Sequence, residues 1–137
     1  MVRGSCLCGD LAWGADGPFE MMSHCHCSRC RKAVSGAYAT DFATPEQGFR
    51  WLRGDERVRD FSLRGAKWFA TSFCDTCGSV MPHALRSNRS KVLIQAGALD
   101  GDPEIRVTQH IFVASKAPWV EITDALPRFA EYAPKTG

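Results

Sequence analysis

No cysteine in this chain stands alone. The seven fall into three tight clusters: Cys6 and Cys8, then Cys25, Cys27 and Cys30, then Cys74 and Cys77. Cysteines used merely as small buried hydrophobes have no reason to cluster, whereas thiolates two or three residues apart can face one metal ion, with zinc held at about 2.3 Å. Two closed four-sulfur sites would need eight ligands. Seven therefore implies one complete site and one with a corner left for water or substrate, the arrangement of a catalytic metal. A disulfide framework would want an even count and a secretory context. The N-terminal Met-Val-Arg-Gly-Ser-Cys has no apolar run of signal-peptide length, and no segment is long enough to span a membrane. Redox chemistry at Cys74-Asp-Thr-Cys77 would need a helix to open at the motif, but Gly78 and Ser79 follow it, as in a metal knuckle. Zinc is the reading that the clustering favours.

At 137 residues the chain has material for one domain, expected over 1–137, with its core at about 4–129 and a loose tail from Ala133 to Gly137. The net charge of +2, from 17 basic and 15 acidic residues, gives no global pull toward nucleic acid.

Gly and Pro punctuate the sequence into runs of strand length, so the fold class is mainly β with little helix. Ile105, Val107, Gln109, Ile111 and Val113 alternate with Arg106, Thr108, His110 and Phe112, as in a half-buried strand. Lys91–Gln95 and Lys67–Phe73 read as strands too. Arg50–Leu52 and Val58–Leu63 read as two strands across a Gly54-Asp55 turn. The best helix runs from Ser28 to Val34, with Ser28 able to cap it and Gly36 to end it, and a short turn is expected near Asp124-Ala-Leu126.

In a strand, Cys6 and Cys8 would point to one face. Cys74 and Cys77 form a knuckle ended by Gly78. The two pairs make one tetrahedral structural site tying the N-terminal strand to the middle of the chain. Cys25, Cys27 and Cys30 are left as an open three-thiolate site, where a helix starting near Ser28 would lower thiol pKa values. His24 and His26 alternate with Cys25 and Cys27 and would point away in extended backbone, although either could in principle fill the fourth corner.

Gly4-Ser-Cys-Leu-Cys-Gly9, Cys25-His-Cys-Ser-Arg-Cys-Arg-Lys32 and Phe73-Cys-Asp-Thr-Cys-Gly-Ser79, with Ala96-Gly-Ala-Leu-Asp100 and His110–Trp119, resemble in order the motifs of one family. The chain resembles the glutathione-dependent formaldehyde-activating enzymes, a family that also contains centromere protein V. The resemblance implies a "β-tent" zinc domain of short antiparallel strands with two Zn²⁺ per chain. Cys6, Cys8, Cys74 and Cys77 would hold the structural ion and Cys25, Cys27 and Cys30 the catalytic one. It implies a cytoplasmic carbon–sulfur lyase acting on a thiol–aldehyde adduct, its partners a small thiol such as glutathione and an aldehyde. The opposing expectation is a non-enzymatic zinc module that binds a protein partner. No membrane or nucleic-acid partner is expected, and the sequence is compatible with a homo-oligomer.

Arg29, Arg31 and Lys32 flank the open site and could hold a carboxylate of a thiol substrate, or form a solvated basic turn. His110 and Lys116 are candidate pocket residues. Trp68, Phe73 and Trp119 could wall a pocket, although aromatics in a small β-domain more often belong to the core.

Overall fold

The computed structural model describes residues 1–135, so Thr136 and Gly137 of the expected tail lie outside the described residues. Eleven short strands account for most of the regular structure. They are β1 (Val2–Ser5), β2 (Ala12–Ala15), β3 (Met22–Cys25), β4 (Ala39–Pro45), β5 (Phe49–Arg53), β6 (Val58–Ser62), β7 (Ala70–Cys74), β8 (Val80–Met81), β9 (His83–Ala84), β10 (Lys91–Gln95) and β11 (Val107–Ile111). The α-helix α1 spans Ser28–Val34. The protein is mainly β, with short and mostly antiparallel strands, as the glycine and proline punctuation predicts.

The strands form three sheets, ordered β1-β2-β5, β11-β3-β4-β10-β9 and β6-β7-β8. Every pairing is antiparallel except that of β11 with β3, where Ile111 stands opposite Cys25 and His110 opposite His24. One core cluster draws on all three sheets: Trp13 and Ala15 from β2, Met22, Phe42, Val92 and Ile94 from the five-stranded sheet, and Cys74 and Met81 from β7 and β8. Trp13, Phe42 and Ile94 are essentially inaccessible to water, and each such side chain stabilises the fold by roughly 1.5–3 kcal/mol.

Three sequence expectations change. First, β5 and β6 do not pair across Gly54-Asp55. Instead, β5 joins β2, so that Phe49 and Trp51 pack together at 5.3 Å and Phe49 lies 6.0 Å from Trp13. β6 pairs with β7, where Ser72 Oγ donates to Asp60 at 2.6 Å. Burying two aromatics on Trp13 outweighs closing a local turn. Second, α1 has the expected bounds, but Cys27 is its N-cap and Ser35, not Gly36, ends it in the left-handed region at φ 56°. Third, β11 is shorter than the alternating run, and the apolar residues of that run are not its buried face. His110 is its buried residue. The segment that follows Asp124 covers it, with His110 N–H donating to Pro127 O and Phe129 N–H to His110 O.

Candidate metal centre and the three-cysteine site

Two knuckles bring the first and third cysteine clusters together. The turn between β1 and β2 is closed by Gly9 N–H donating to Cys6 O, and that between β7 and β8 by Gly78 N–H donating to Cys74 O. Cys6 and Cys8 therefore converge through a turn rather than through strand alternation. Gly9 and Gly78 have φ 83° and 77°, the left-handed geometry that glycine takes without strain, and a Cβ at either position would touch nothing. Both glycines are required by conformation rather than by space.

The Sγ atoms of Cys6, Cys8, Cys74 and Cys77 all lie within 4.8 Å of one another. Cys6 and Cys8 are 3.5 Å apart, and Cys8 and Cys74 are 3.9 Å apart. A tetrahedral ion with sulfur at about 2.3 Å sets its ligands about 3.8 Å apart, so the donor set suits a metal ion of zinc's size and softness. Main-chain and hydroxyl groups already serve the sulfurs: Leu11 N–H donates to Cys6 Sγ at 3.2 Å, and Ser79 Oγ lies 3.2 Å from Cys77 Sγ. The Ser79 side chain and backbone hold the Cys77 thiol down at about 6, so this ligand is ready to ionise at neutral pH. Outside the sulfurs, Arg57 and Arg59 pair with Asp75 at the exposed rim.

The middle cluster is less complete. Cys25 ends β3 and is buried, and Cys30 projects from α1 to bring its Sγ to 3.3 Å from that of Cys25. Their mutual hydrogen bond shifts the two thiols in opposite directions, Cys25 downward and Cys30 upward, as expected of two sulfurs sharing one proton. Cys27, at the helix N-cap, is not gathered with them: among the described residues, the four-cysteine set is the group whose metal-donor atoms meet mutually.

His24 and His26 make their side-chain contacts with other residues. His26 is fully buried, and its Nε2 is 2.8 Å from His110 Nδ1. His110 Nε2 reaches the Asp124 carboxylate at 3.0 and 3.1 Å. His24 Nδ1 meets Thr40 Oγ1 at 2.8 Å, and its ring lies 4.0 Å from that of Tyr38. Burial lowers the pKa of both His24 and His26, the latter to about 4, and the neighbouring His110 lowers them further.

A cavity of about 350 Å³ is lined by Arg31, Lys32, Ser35, Gly36 and Trp119, so the two cations that follow Cys30 in the chain meet the exposed Trp119 indole there. Arg31 is also a strut, donating to His26 O and Ser115 O. Arg29 is exposed and does not line the cavity. Lys116 turns inward and donates to the carbonyls of Ala117 and Val120, which fixes the bend that carries Trp119. Trp68 lies half-exposed beside Lys67, and Phe73 stands on β7 in the sheet of the four-sulfur cluster; neither lines this cavity.

Sequence reasoning passed over four residues near the three-cysteine site. The sequence shows Asp124 only as part of a turn. Tyr38 packs on His24 and His26. Asp41 sits on β4 with its Oδ1 buried and unpartnered, and its charge opposes the downward shift of Cys25 and adds a small part to the rise of Cys30. Tyr132 stacks edge-on against Phe112 at 4.8 Å, and its phenol is raised by burial and then by the charges of all three cysteines. Phe112 itself has φ 56°, a strained value for an aromatic residue. Sequence points to this region through His24, His26 and His110, the last on the strand face opposite the apolar residues.

No helix among the described residues is long and apolar enough to cross a membrane. The chain has no match among curated protein sequences. It is similar to a Rhodobacter sphaeroides protein of known crystal structure, at 25% identity and a TM-score of 0.60, over 74% of this chain and 91% of that one. Residues 1–115 match the family model of the glutathione-dependent formaldehyde-activating enzymes. That match takes in all seven cysteines and the order in which they occur, so the chain belongs to the glutathione-dependent formaldehyde-activating enzyme family.

Proposed function

We propose that the protein is a zinc-dependent carbon–sulfur lyase-like enzyme that joins a small thiol to an aldehyde and releases it again. In this reading Cys6, Cys8, Cys74 and Cys77 hold a structural zinc, and Cys25, Cys27 and Cys30 hold a catalytic one. The observation that supports it is the 3.3 Å approach of Cys25 and Cys30, the latter on the helix that also carries the cavity-lining Arg31 and Lys32, in a chain whose Cys6, Cys8, Cys74 and Cys77 cluster separately. A three-sulfur zinc supplies a free coordination position and holds a thiol as thiolate near neutral pH.

The chain's own groups supply the rest. Arg31 and Lys32 balance the negative charge of three ligand thiolates and of an acidic thiol substrate, glutathione being the family's example. Trp119 offers an apolar wall to the aldehyde carbon. Addition of a thiolate to formaldehyde is intrinsically easy, so the gain comes mainly from holding the two reactants together. The reading takes residues 1–137 as one zinc domain, supported by the core cluster shared by the three sheets. A cytoplasmic setting suits it, since a reducing compartment keeps ligand thiols available.

The test is cobalt substitution followed by titration with 2-mercaptoethanol and with glutathione. One of two cobalt centres should change its visible spectrum on thiol addition, and later addition of formaldehyde should reverse part of that change as the adduct forms. If neither thiol alters either centre, the enzyme reading is lost and a protein-binding zinc module takes its place.

A further inference from the structure

His110 has both ring nitrogens engaged while its side chain is almost fully buried. An ionised carboxylate can only accept, so His110 Nε2 carries a proton and donates it to Asp124; where that is the ring's one proton, Nδ1 is a lone pair. The His110 Nδ1 lone pair is then the acceptor, which obliges His26 to donate from its own Nε2. One carboxylate thus sets the tautomer and ring plane of two imidazoles in series. The far end of the chain, His26 Nδ1, carries no proton and is buried without a partner.

His26 is fixed at three points: by this ring contact, by its N–H donating to Ile111 O at 2.9 Å, and by Arg31 Nε donating to its O at 3.4 Å. Its covalent neighbours are Cys25 and Cys27. Asp124 is itself held in place, because its Oδ1 accepts from Leu126 N–H and its carbonyl accepts from Arg128. The segment around it is tied to β11 through Pro127 and Phe129. Asp124 also lies beyond residue 115, where the family match ends.

We infer that Asp124 is a positioning residue for Cys25-His26-Cys27, acting through His110 and His26 to hold two ligands of the three-cysteine site in register. This rests on the reading of that site as a metal centre. Carboxylate–histidine pairs do this for ligating histidines, and their loss weakens metal binding by about 10- to 100-fold. Here the same device acts one residue away from the ligands.

The experiment uses the full zinc-loaded chain and its Asp124→Ala and Asp124→Glu variants. Zinc affinity of each site is measured by competition with graded chelators, and the His26 and His110 tautomers are read from long-range proton–nitrogen correlation spectra. The parent should bind two ions and show both rings protonated at Nε2. Asp124→Ala should keep the tighter ion and an intact fold, bind the second ion about 10- to 100-fold more weakly, and lose the fixed tautomer signature. Asp124→Glu should restore part of both. Asp124→Ser serves the same reading should the alanine variant not fold. Parental affinity for the second ion in a variant whose tautomers have changed would overturn the positioning role alone, as would lost affinity with unchanged tautomers. A parent that binds a single ion would remove the metal reading of the site and this inference with it.

Discussion

Cys8 and Cys74 bring their sulfurs to 3.9 Å across 66 residues of chain. The contact joins the turn at the end of the β1-β2-β5 sheet to the turn at the end of the β6-β7-β8 sheet, between which the core offers no covalent tie. Bridging them by a metal removes much of the freedom of the intervening chain, and binding free energy at such a site is folding free energy. Two of its sulfurs, on Cys6 and Cys74, are buried among core side chains, so the site is built into the core rather than added at its surface.

Replacing Cys77, whose thiol Ser79 makes more acidic, therefore tests the structural role. Cys77→Ser should lose one equivalent of metal and several kcal/mol of stability, or fail to fold in soluble form. Thermal melting monitored by circular dichroism checks it, and a variant that melts with the parent would refute a structural role for the four-cysteine site.

The local features were readable from sequence because their causes are local. α1 and β10 have the bounds expected of them, since a polar start, a short periodic run and flanking turn residues suffice to define such pieces. Cys74 and Cys77 form the expected knuckle, because two close cysteines and a following glycine define it, whereas Cys6 and Cys8 converge through a second turn that strand alternation does not predict. Strand pairing was not readable. The aromatics of β5 choose Trp13 over the nearer β6, and that preference depends on a core only the folded chain assembles. Asp124 and Tyr132 were invisible for the same reason: Asp124 meets His110 from 14 residues away, and His110 meets His26 from 84. A long-range polar chain leaves no periodicity to read.

The end of α1 separates the sequence expectation from the structure by a simple swap. Ser35 occupies the left-handed region at φ 56° and ψ 44°, with its N–H donating to Arg31 O. Glycine carries no steric cost there. Ser35→Gly should raise stability by about 0.5–1 kcal/mol, a shift of a few degrees in Tm. Gly36 has an ordinary φ, and a Cβ there would meet only van der Waals contacts at 3.7 Å and 3.8 Å, so Gly36→Ala should be tolerated or mildly stabilising. The opposite order in differential scanning calorimetry would return the cap to Gly36.

Asp41 gives a pH signature. Burial raises its carboxyl from 3.8 to about 7, and its Oδ1 has no hydrogen-bond partner. Between those two values the folded state keeps a proton that the unfolded chain has released, so stability falls as pH rises through this window and is lowest above about 7. Asp41→Asn removes the titration. Its stability relative to the parent should increase by about 1–2 kcal/mol between pH 6 and pH 8, read from denaturant midpoints at each pH. A difference that does not change with pH would mean that Asp41 finds a partner in solution that keeps it ionised.

The three-cysteine site should be the more labile of the two. Only Cys25 and Cys30 are at ligand spacing before a metal gathers Cys27, and three sulfurs hold an ion less tightly than four. Arg29, Arg31 and Lys32 flank Cys30 in sequence, and Arg31 and Lys32 line an open cavity. Mild chelation should therefore withdraw about one equivalent of zinc while the far-ultraviolet dichroism stays constant. Cys30→Ser should bind one equivalent from the outset and lose any lyase activity, with the four-sulfur ion in place. X-ray absorption on the fully loaded parent should show sulfur at about 2.3 Å around both ions, with a lighter atom completing one of them. If both ions leave together as the protein unfolds, or if the second ion proves to have four sulfur ligands, the open corner is lost and so is the chemistry that depends on it.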